Sequence, residues 1–344
     1  MEDLLGAWAR HHYGPEASVD AVSPMPGNAG ISFGFDVTAP ERGAGSDQAP
    51  VVERLVIRVP PAGVRQKGNT DVLRQVPLLQ ALAAEGVPVP AVRWWGDDER
   101  WFGVPYLIVE RLPGRSLNIF APDPTFFDLS VTGVRSLFRQ AVEALVATHR
   151  LDWRTRLPGW DEPRDLEAEI RYWEPILAKG DDDEWIAAGH DLRDALLASR
   201  PPDPEPGVIH GDFYNNNWVV DESGRLRAVV DWEISAIGPS LLDLGWLCMM
   251  YDPESWGPTL REQLGWAPPV DEIVALYEEA SGAAVPDIAW YRALAGFRLS
   301  AITSLNVRLQ RTGRRPPDPV WDVMAEAYPY RVGQARRLAG GGKG

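Results

Sequence analysis

Apolar residues recur along this chain with two distinct periods, and the change of period divides it. Residues 2–12 carry an amphipathic helical pattern. Ile31 to Thr38 and Leu55 to Val59 are short β-branched runs that predict strands, the second stopped by Pro60-Pro61. Residues 39–50 are small, polar and rich in Pro and Gly, as expected for a loop or a hairpin insertion. Leu73, Val76, Leu79 and Leu82 stand at helical spacing and predict a helix over 70–85. Pro77 must then lie in its first turn or kink it. Tyr106 to Glu110 reads as another strand, and Arg111 to Gly114 as a turn between two regions.

Beyond that turn the pattern is mainly helical: Val134 to His149, from Leu241 onward, 271–281 and 288–311. One strand-rich stretch interrupts it. Trp218-Val219-Val220 and Leu226 to Val230 are joined by Asp221 to Gly224, a hairpin signal. The expected organisation is α+β, with an antiparallel sheet and a helix over 1–112. A mainly helical region with the hairpin follows over 113–338, then a disordered tail over 339–344.

Composition narrows the function classes. The 344 residues carry a formal net charge of −15, which disfavours nucleic-acid or anionic-membrane partners held by bulk charge. A single cysteine excludes an internal disulfide or a multi-cysteine metal site. The start of the chain lacks a signal-peptide pattern and no apolar run is long enough to span a bilayer, so a cytoplasmic location is the expectation.

The chemistry concentrates in 208–233, VIHGDFYNNNWVVDESGRLRAVVDWE. Asp212 is followed five residues later by Asn217, and Asp231 ends the second strand of the predicted hairpin. Phosphoryl transfer uses such a set: one carboxylate accepts the proton of an attacking hydroxyl, while Asn and a second Asp are hard oxygen ligands for Mg²⁺. Taken singly, His210-Gly211-Asp212 could be a turn, the three asparagines a polar loop and Asp231 a helix cap. The joint spacing favours the catalytic reading.

The motif H-G-D-x-x-x-x-N followed by D-W-E resembles the aminoglycoside phosphotransferase/choline kinase superfamily, a branch of the protein-kinase-like two-lobed fold. Ile234 to Cys248, Arg58 with Pro60 to Gly63, Val87 to Pro90 and Tyr106 to Gly114 extend the likeness over nearly the whole chain. They are most similar to the branch containing the kinase-like domains of certain acyl-CoA dehydrogenases. The resemblance implies an ATP- and Mg²⁺-dependent transfer to a hydroxyl of a small molecule: an aminoglycoside-like antibiotic, a hydroxyacyl-CoA or another metabolite alcohol. Asp212 would be the base, His210 a brace of the catalytic loop, and Asn217 and Asp231 the metal ligands. Gly27, Asn28, Gly30 and Ser32 would cover the phosphates, Arg58 would pair with them, and Glu110 and Leu112 would form the adenine hinge. Asp243 would tie the catalytic loop to the next helix or merely cap that helix. Gln75 stands where the family offers a Glu to the phosphate-binding cation, so a catalytically impaired binding module is the alternative. A protein kinase is disfavoured, since no Arg precedes Asp212 and no A-P-E-like segment is present.

For the acceptor, two segments give opposite indications. The acidic, Trp-containing stretch 160–185 would suit a cation. Arg292, Arg298, Arg308 and Arg311 would suit an anion, or would pair with carboxylates of their own region.

Overall fold

The computed structural model describes residues 1–25, 31–40, 49–60 and 67–341. The chain gathers into two units: Met1–Gly114 with Arg154–Trp160 and Arg227–Ile234, and Arg115–Trp153 with Asp161–Leu226 and Ser235–Gly344.

The first unit is built on a five-stranded sheet. Its elements are α1 (Glu2–Tyr13), β1 (Ser18–Pro24), β2 (Ile31–Ala39), β3 (Val51–Val59), α2 (Gln75–Ala84), β4 (Val92–Gly96), α3 (Glu99–Phe102) and β5 (Tyr106–Glu110). The strand order is β1-β2-β3-β5-β4, and every neighbouring pair is antiparallel. Alternation decides the buried face: Phe35, Val37 and Ala39 of β2 join Leu55, Ile57 and Val59 of β3 against Leu5, Trp8 and Ala9 of α1. Each large side chain so buried contributes about 1.5–3 kcal/mol. Two 3₁₀ turns occupy 68–70 and 72–74, and α2 begins only at Gln75. Pro77 explains that late start. It needs the first turn, where a missing N–H costs nothing.

The second unit is mainly helical. In chain order the remaining elements are α4 (Val131–His149), α5 (Trp153–Arg156), α6 (Leu166–Leu177), α7 (Asp183–Ala198), β6 (Gly207–Ile209), β7 (Trp218–Val220), β8 (Leu226–Val229), β9 (Ala236–Gly238), α8 (Leu241–Met250), α9 (Pro258–Arg261), α10 (Val270–Ser281), α11 (Ile288–Arg311) and α12 (Pro319–Ala339), of which α5 and β8 belong, but for their first residues, to the first unit. Leu166 and Ile170 of α6, Leu192 and Leu196 of α7, Leu294 and Phe297 of α11 and Tyr328 of α12 share one core. Short β6 pairs antiparallel with β9, Val208 opposite Ile237. The turn after β7 closes as a hairpin turn does, with Asp221 N–H on the Arg225 carbonyl at 3.1 Å and Gly224 in a left-handed conformation. Helix α12 runs through Ala339, the position at which the tail was expected to begin; residues 342–344 lie outside the described residues.

Helices α8 and α11 approach closely at Gly245. A Cβ there would stand 2.6 Å from the carbonyl carbon and oxygen of Tyr291, which are backbone atoms with no rotamer to give way. Gly245→Ala is therefore expected to lower stability by about 1–3 kcal/mol, the usual cost of overpacking, measurable by urea denaturation. A variant as stable as the parent would show that the two helices slide apart freely.

Candidate functional site

The candidate residues fall into one group in each unit. In the second unit, β6 delivers the chain into His210-Gly211-Asp212. This loop is held from behind by Asp243, a fully buried carboxylate in the first turn of α8. Asp243 Oδ2 accepts the His210 N–H at 2.7 Å and its Oδ1 accepts the Gly211 N–H at 2.8 Å. Its role as an anchor of the loop, one of two readings left open by the sequence, is thus visible as two charge-assisted hydrogen bonds. His149 Nε2 lies 3.4 Å from Oδ2, and the Tyr277 hydroxyl meets His149 Nδ1 at 2.8 Å. Burial by itself would raise the Asp243 pKa. The hydrogen bond from His149, the charges of His149 and His210 and the backbone N–H of His210 outweigh it and hold the carboxyl below the usual range.

His210 is buried and faces its own loop: its Nδ1 accepts the Asp212 N–H at 3.1 Å. That contact is a brace. Gly211 takes φ +89, a left-handed value that favours glycine, and so turns the chain sharply into Asp212.

The three consecutive asparagines do three different things. Asn215 is fully buried, donating to the Leu117 carbonyl at 2.6 Å and accepting from the Tyr251 hydroxyl at 2.5 Å. Asn216 accepts the Ile119 N–H at 3.3 Å. Asn217 alone turns to Asp212, donating from Nδ2 to its carbonyl at 2.8 Å and to Oδ2 at 3.0 Å. With the nitrogen engaged there, the amide oxygen is the end of Asn217 suited to a hard cation.

The first unit brings together Arg58, Asp231 and Glu233. Arg58 stands on β3 opposite Ser32 of β2. Its Nη2 lies 3.1 Å from Asp231 Oδ1 and 2.9 Å from Glu233 Oε2. Asp231 has φ +68, an uncommon conformation for a residue with a side chain, and such departures collect at functional sites. Among the described residues no cluster of three or more His, Cys, Asp or Glu could hold a metal unaided. The Asp231 carboxylate of the first unit and, separately, the Asn217 amide of the second are each hard oxygen donors of the kind Mg²⁺ accepts.

Other sequence candidates are more dispersed. Glu110 ends β5, with its N–H on the Ala91 carbonyl at 2.9 Å and its carboxylate 3.3 Å from Arg93; Leu112 is half-buried just beyond. Arg111 between them pairs with Asp36. Gly27, Asn28 and Gly30 lie outside the described residues. Gln75 is buried at the start of α2.

The acidic and basic segments that pointed to opposite acceptors are largely used internally. Asp165 and Asp182 cap α6 and α7, Trp173 is in the core, and Trp185 stacks on Tyr328 with centroids 4.1 Å apart. Arg292 pairs with Asp252 at 2.7 Å, Arg308 donates to the Lys179 carbonyl at 2.7 Å, and Arg311 lies 3.4 Å from Asp181. Arg298 is 2% exposed and donates to the Gly211 carbonyl at 2.9 Å, a position its spacing in the sequence did not disclose. Among the described residues no helix is long and apolar enough to cross a membrane.

A model of the phosphotransferase enzyme family matches residues 36–294. Acyl-CoA dehydrogenase family member 10 of Mus musculus is 27% identical over 274 residues, which are 76% of this chain and 25% of that protein. Acyl-CoA dehydrogenase family member 11 of Homo sapiens is 26% identical over 266 residues, 73% of this chain and 33% of that protein. The chain thus spans about a quarter to a third of the length of these relatives. Among solved structures, a Ralstonia eutropha JMP134 protein provisionally assigned as an aminoglycoside phosphotransferase superposes with a TM-score of 0.75 at 22% identity, covering 99% of both chains. A variant of aminoglycoside phosphotransferase APH(4)-Ia, in ternary complex with ADP and hygromycin B, gives 0.58 at 16% identity and also covers 99% of both. These likenesses show the kinase-like two-lobed α+β fold. With more than half of its length matched by the family model, this chain belongs to the phosphotransferase enzyme family.

Proposed function

We propose that the protein transfers the γ-phosphoryl group of ATP to a hydroxyl of a small molecule. The observation that carries this reading is the pairing of Asp212 with Asn217 on a loop anchored by Asp243, in a chain of the phosphotransferase family. Asp212 orients the acceptor hydroxyl and takes its proton. Asn217 and Asp231 supply oxygen ligands to Mg²⁺, which, when bound, neutralises charge on the phosphates. Arg58 brings a guanidinium to the phosphate side, and Ser32, its partner across the sheet, lies beside it. The roles of Gly27, Asn28 and Gly30 as a phosphate cover, and of Glu110 and Leu112 as an adenine hinge, belong to the same proposal. His210 serves the loop and does not react.

The acceptor is a metabolite alcohol, with hydroxyacyl-CoA and aminoglycosides the classes to try first. The former is suggested by the names of the relatives and the latter by those of the structural neighbours.

The test is a thermal unfolding titration with Mg²⁺·ATP beside Asp231→Ala. Nucleotide at ~100 times its Kd adds about 2.7 kcal/mol to the native state. A Mg²⁺-dependent rise in Tm that Asp231→Ala abolishes is expected, followed by phosphate incorporation into one acceptor class by mass spectrometry. An absent shift at millimolar nucleotide would overturn the proposal and favour a module without turnover, in which Gln75 marks the lost clamp.

A further inference from the structure

Arg298 breaks a rule of protein interiors. It sits in the middle of α11 at 2% exposure, and burying a guanidinium costs several kcal/mol unless its hydrogen bonds are repaid. They are repaid sparingly. Nη2 donates to the Gly211 carbonyl at 2.9 Å, while among the described residues Nε and Nη1 make no hydrogen bond. Nε lies 3.7 Å from Glu169 Oε1, a carboxylate itself held by Arg164 at 3.1 Å and by Trp173 Nε1 at 3.0 Å. The guanidinium is flanked by the rings of Trp173 of α6, 4.9 Å away, and Trp246 of α8, 5.1 Å away. A methionine would fill that space without the desolvation cost. What a methionine lacks is a donor for Gly211.

That one hydrogen bond falls at a telling place. Asp243 holds the N–H of Gly211, and Arg298 holds its carbonyl. The same peptide unit presents its other end, the Asp212 N–H, to His210 Nδ1. The Gly211–Asp212 peptide is therefore fixed at both its oxygen and its nitrogen. Glycine at φ +89 is the most mobile residue the loop could hold, and here it is clamped between an anion and a cation.

We propose that Arg298 is a positioning residue for phosphoryl transfer: by fixing the Gly211–Asp212 peptide plane it aims the Asp212 carboxylate. The inference rests on the reading of Asp212 as the base. Arg298 touches neither acceptor nor nucleotide. The charged groups that face it are Glu169 and Arg164 from the α6 side, Asp243 from α8, and Asp212 itself. Misaiming a reacting group by ~1 Å costs about a hundredfold in rate, so a clamp of this kind acts on kcat and leaves nucleotide affinity alone.

The experiment uses the full chain and two variants, Arg298→Met and Arg298→Lys. It has two readouts: amide hydrogen exchange of His210, Gly211 and Asp212 without nucleotide, and kcat with KM for ATP. Arg298→Met is expected to speed loop exchange and lower kcat, each at least tenfold, with KM for ATP within twofold and exchange in α4 and α10 unchanged. Arg298→Lys keeps the charge without the fork and is expected to restore part of both, leaving a deficit of about threefold. A folded Arg298→Met protein with loop exchange and kcat both within twofold of the parent would overturn the proposal. If Arg298→Met does not accumulate as folded protein, Arg298→Lys decides: parental values in both readouts overturn it, and a threefold loss in both supports it. Faster loop exchange in a protein whose parent shows no turnover would leave the clamp standing and remove the catalytic reading of Asp212. Unchanged exchange removes the clamp whatever the turnover.

Discussion

Asp212→Asn is expected to lower kcat by about 10²–10⁴, the range that a positioned general base contributes, while Mg²⁺·ATP still raises Tm as in the parent. The substitution is close to isosteric, so the loop keeps its shape. Asn217 Nδ2 still finds the backbone carbonyl of residue 212 at 2.8 Å and an amide oxygen in place of Oδ2. What disappears is the proton acceptor. The measurement is single-turnover phosphate transfer to whichever acceptor the screen returns. A variant with parental turnover would sink the assignment of Asp212. If the base acts only by orienting the hydroxyl, the loss lies at the low end of that range.

The contrast with Asn217→Ala sharpens the result. Asn217 steadies Asp212 and, in the proposed reaction, offers an oxygen to the cation, so its loss is expected to raise the Mg²⁺ concentration needed for half-maximal rate as well as to lower kcat. Asp212→Asn moves kcat alone. The two carboxamide–carboxylate neighbours are 3.0 Å apart and share one hydrogen bond, so their effects will not add.

The contact between Asp212 and Asn217 was legible because their spacing is local. Asn217 stands five positions after Asp212, and one tight turn suffices to bring them together. Strands β3 and β5 were legible for a similar reason. Leu55 to Val59 and Tyr106 to Glu110 are apolar runs stopped or started by Pro; the structure keeps the second as it stands and extends the first back to Val51. Helix α11 was legible to the residue, from 288 to 311. Its burial was not. Both sides of α11 are covered, by α8 and α6 as well as α12, so its apolar positions form no single stripe, and its arginines at helical spacing read as an outer face. The spacing leaves Arg298 either meeting an acceptor or pairing with a carboxylate of its own region; the structure gives it Glu169 at 3.7 Å and encloses it among elements distant in sequence. Helix α12 was missed because it carries Pro329 within it and mixes Tyr, Arg and Glu around its circumference. Strands β6 and β9 are three residues each, too short for any period to show. Nothing in the spacing of the three asparagines separated their roles; that required the carbonyl of Leu117, the N–H of Ile119 and the hydroxyl of Tyr251, none of them near in sequence.

Asp243→Asn is expected to be the most destabilising conservative change in the second unit, at about 3 kcal/mol, with urea unfolding as the measurement. Asp243 is fully buried and accepts two backbone N–H groups, one on each oxygen. An asparagine has a single acceptor oxygen, so its NH₂ must face one of those two N–H donors, and a buried donor left unpaired costs about 1–3 kcal/mol. It also removes the negative charge from beside His149. The pH dependence carries the distinguishing sign. Burial raises the Asp243 pKa, but its hydrogen bond with His149, the charges of His149 and His210 and the His210 N–H lower it further, so the folded value lies below the usual carboxylate range. A carboxyl depressed on folding lends stability that is fully present above its unfolded pKa of about 3.9 and is lost as pH falls through the folded value. The parent should therefore shed this contribution below pH ~4, while Asp243→Asn, already lacking it, should show a flatter acid limb and approach the parent's stability as the pH drops. If the variant runs parallel to the parent through that window, the ionised Asp243 contributes nothing to stability, and the loop that presents Asp212 must be held by Arg298 and His210 without it.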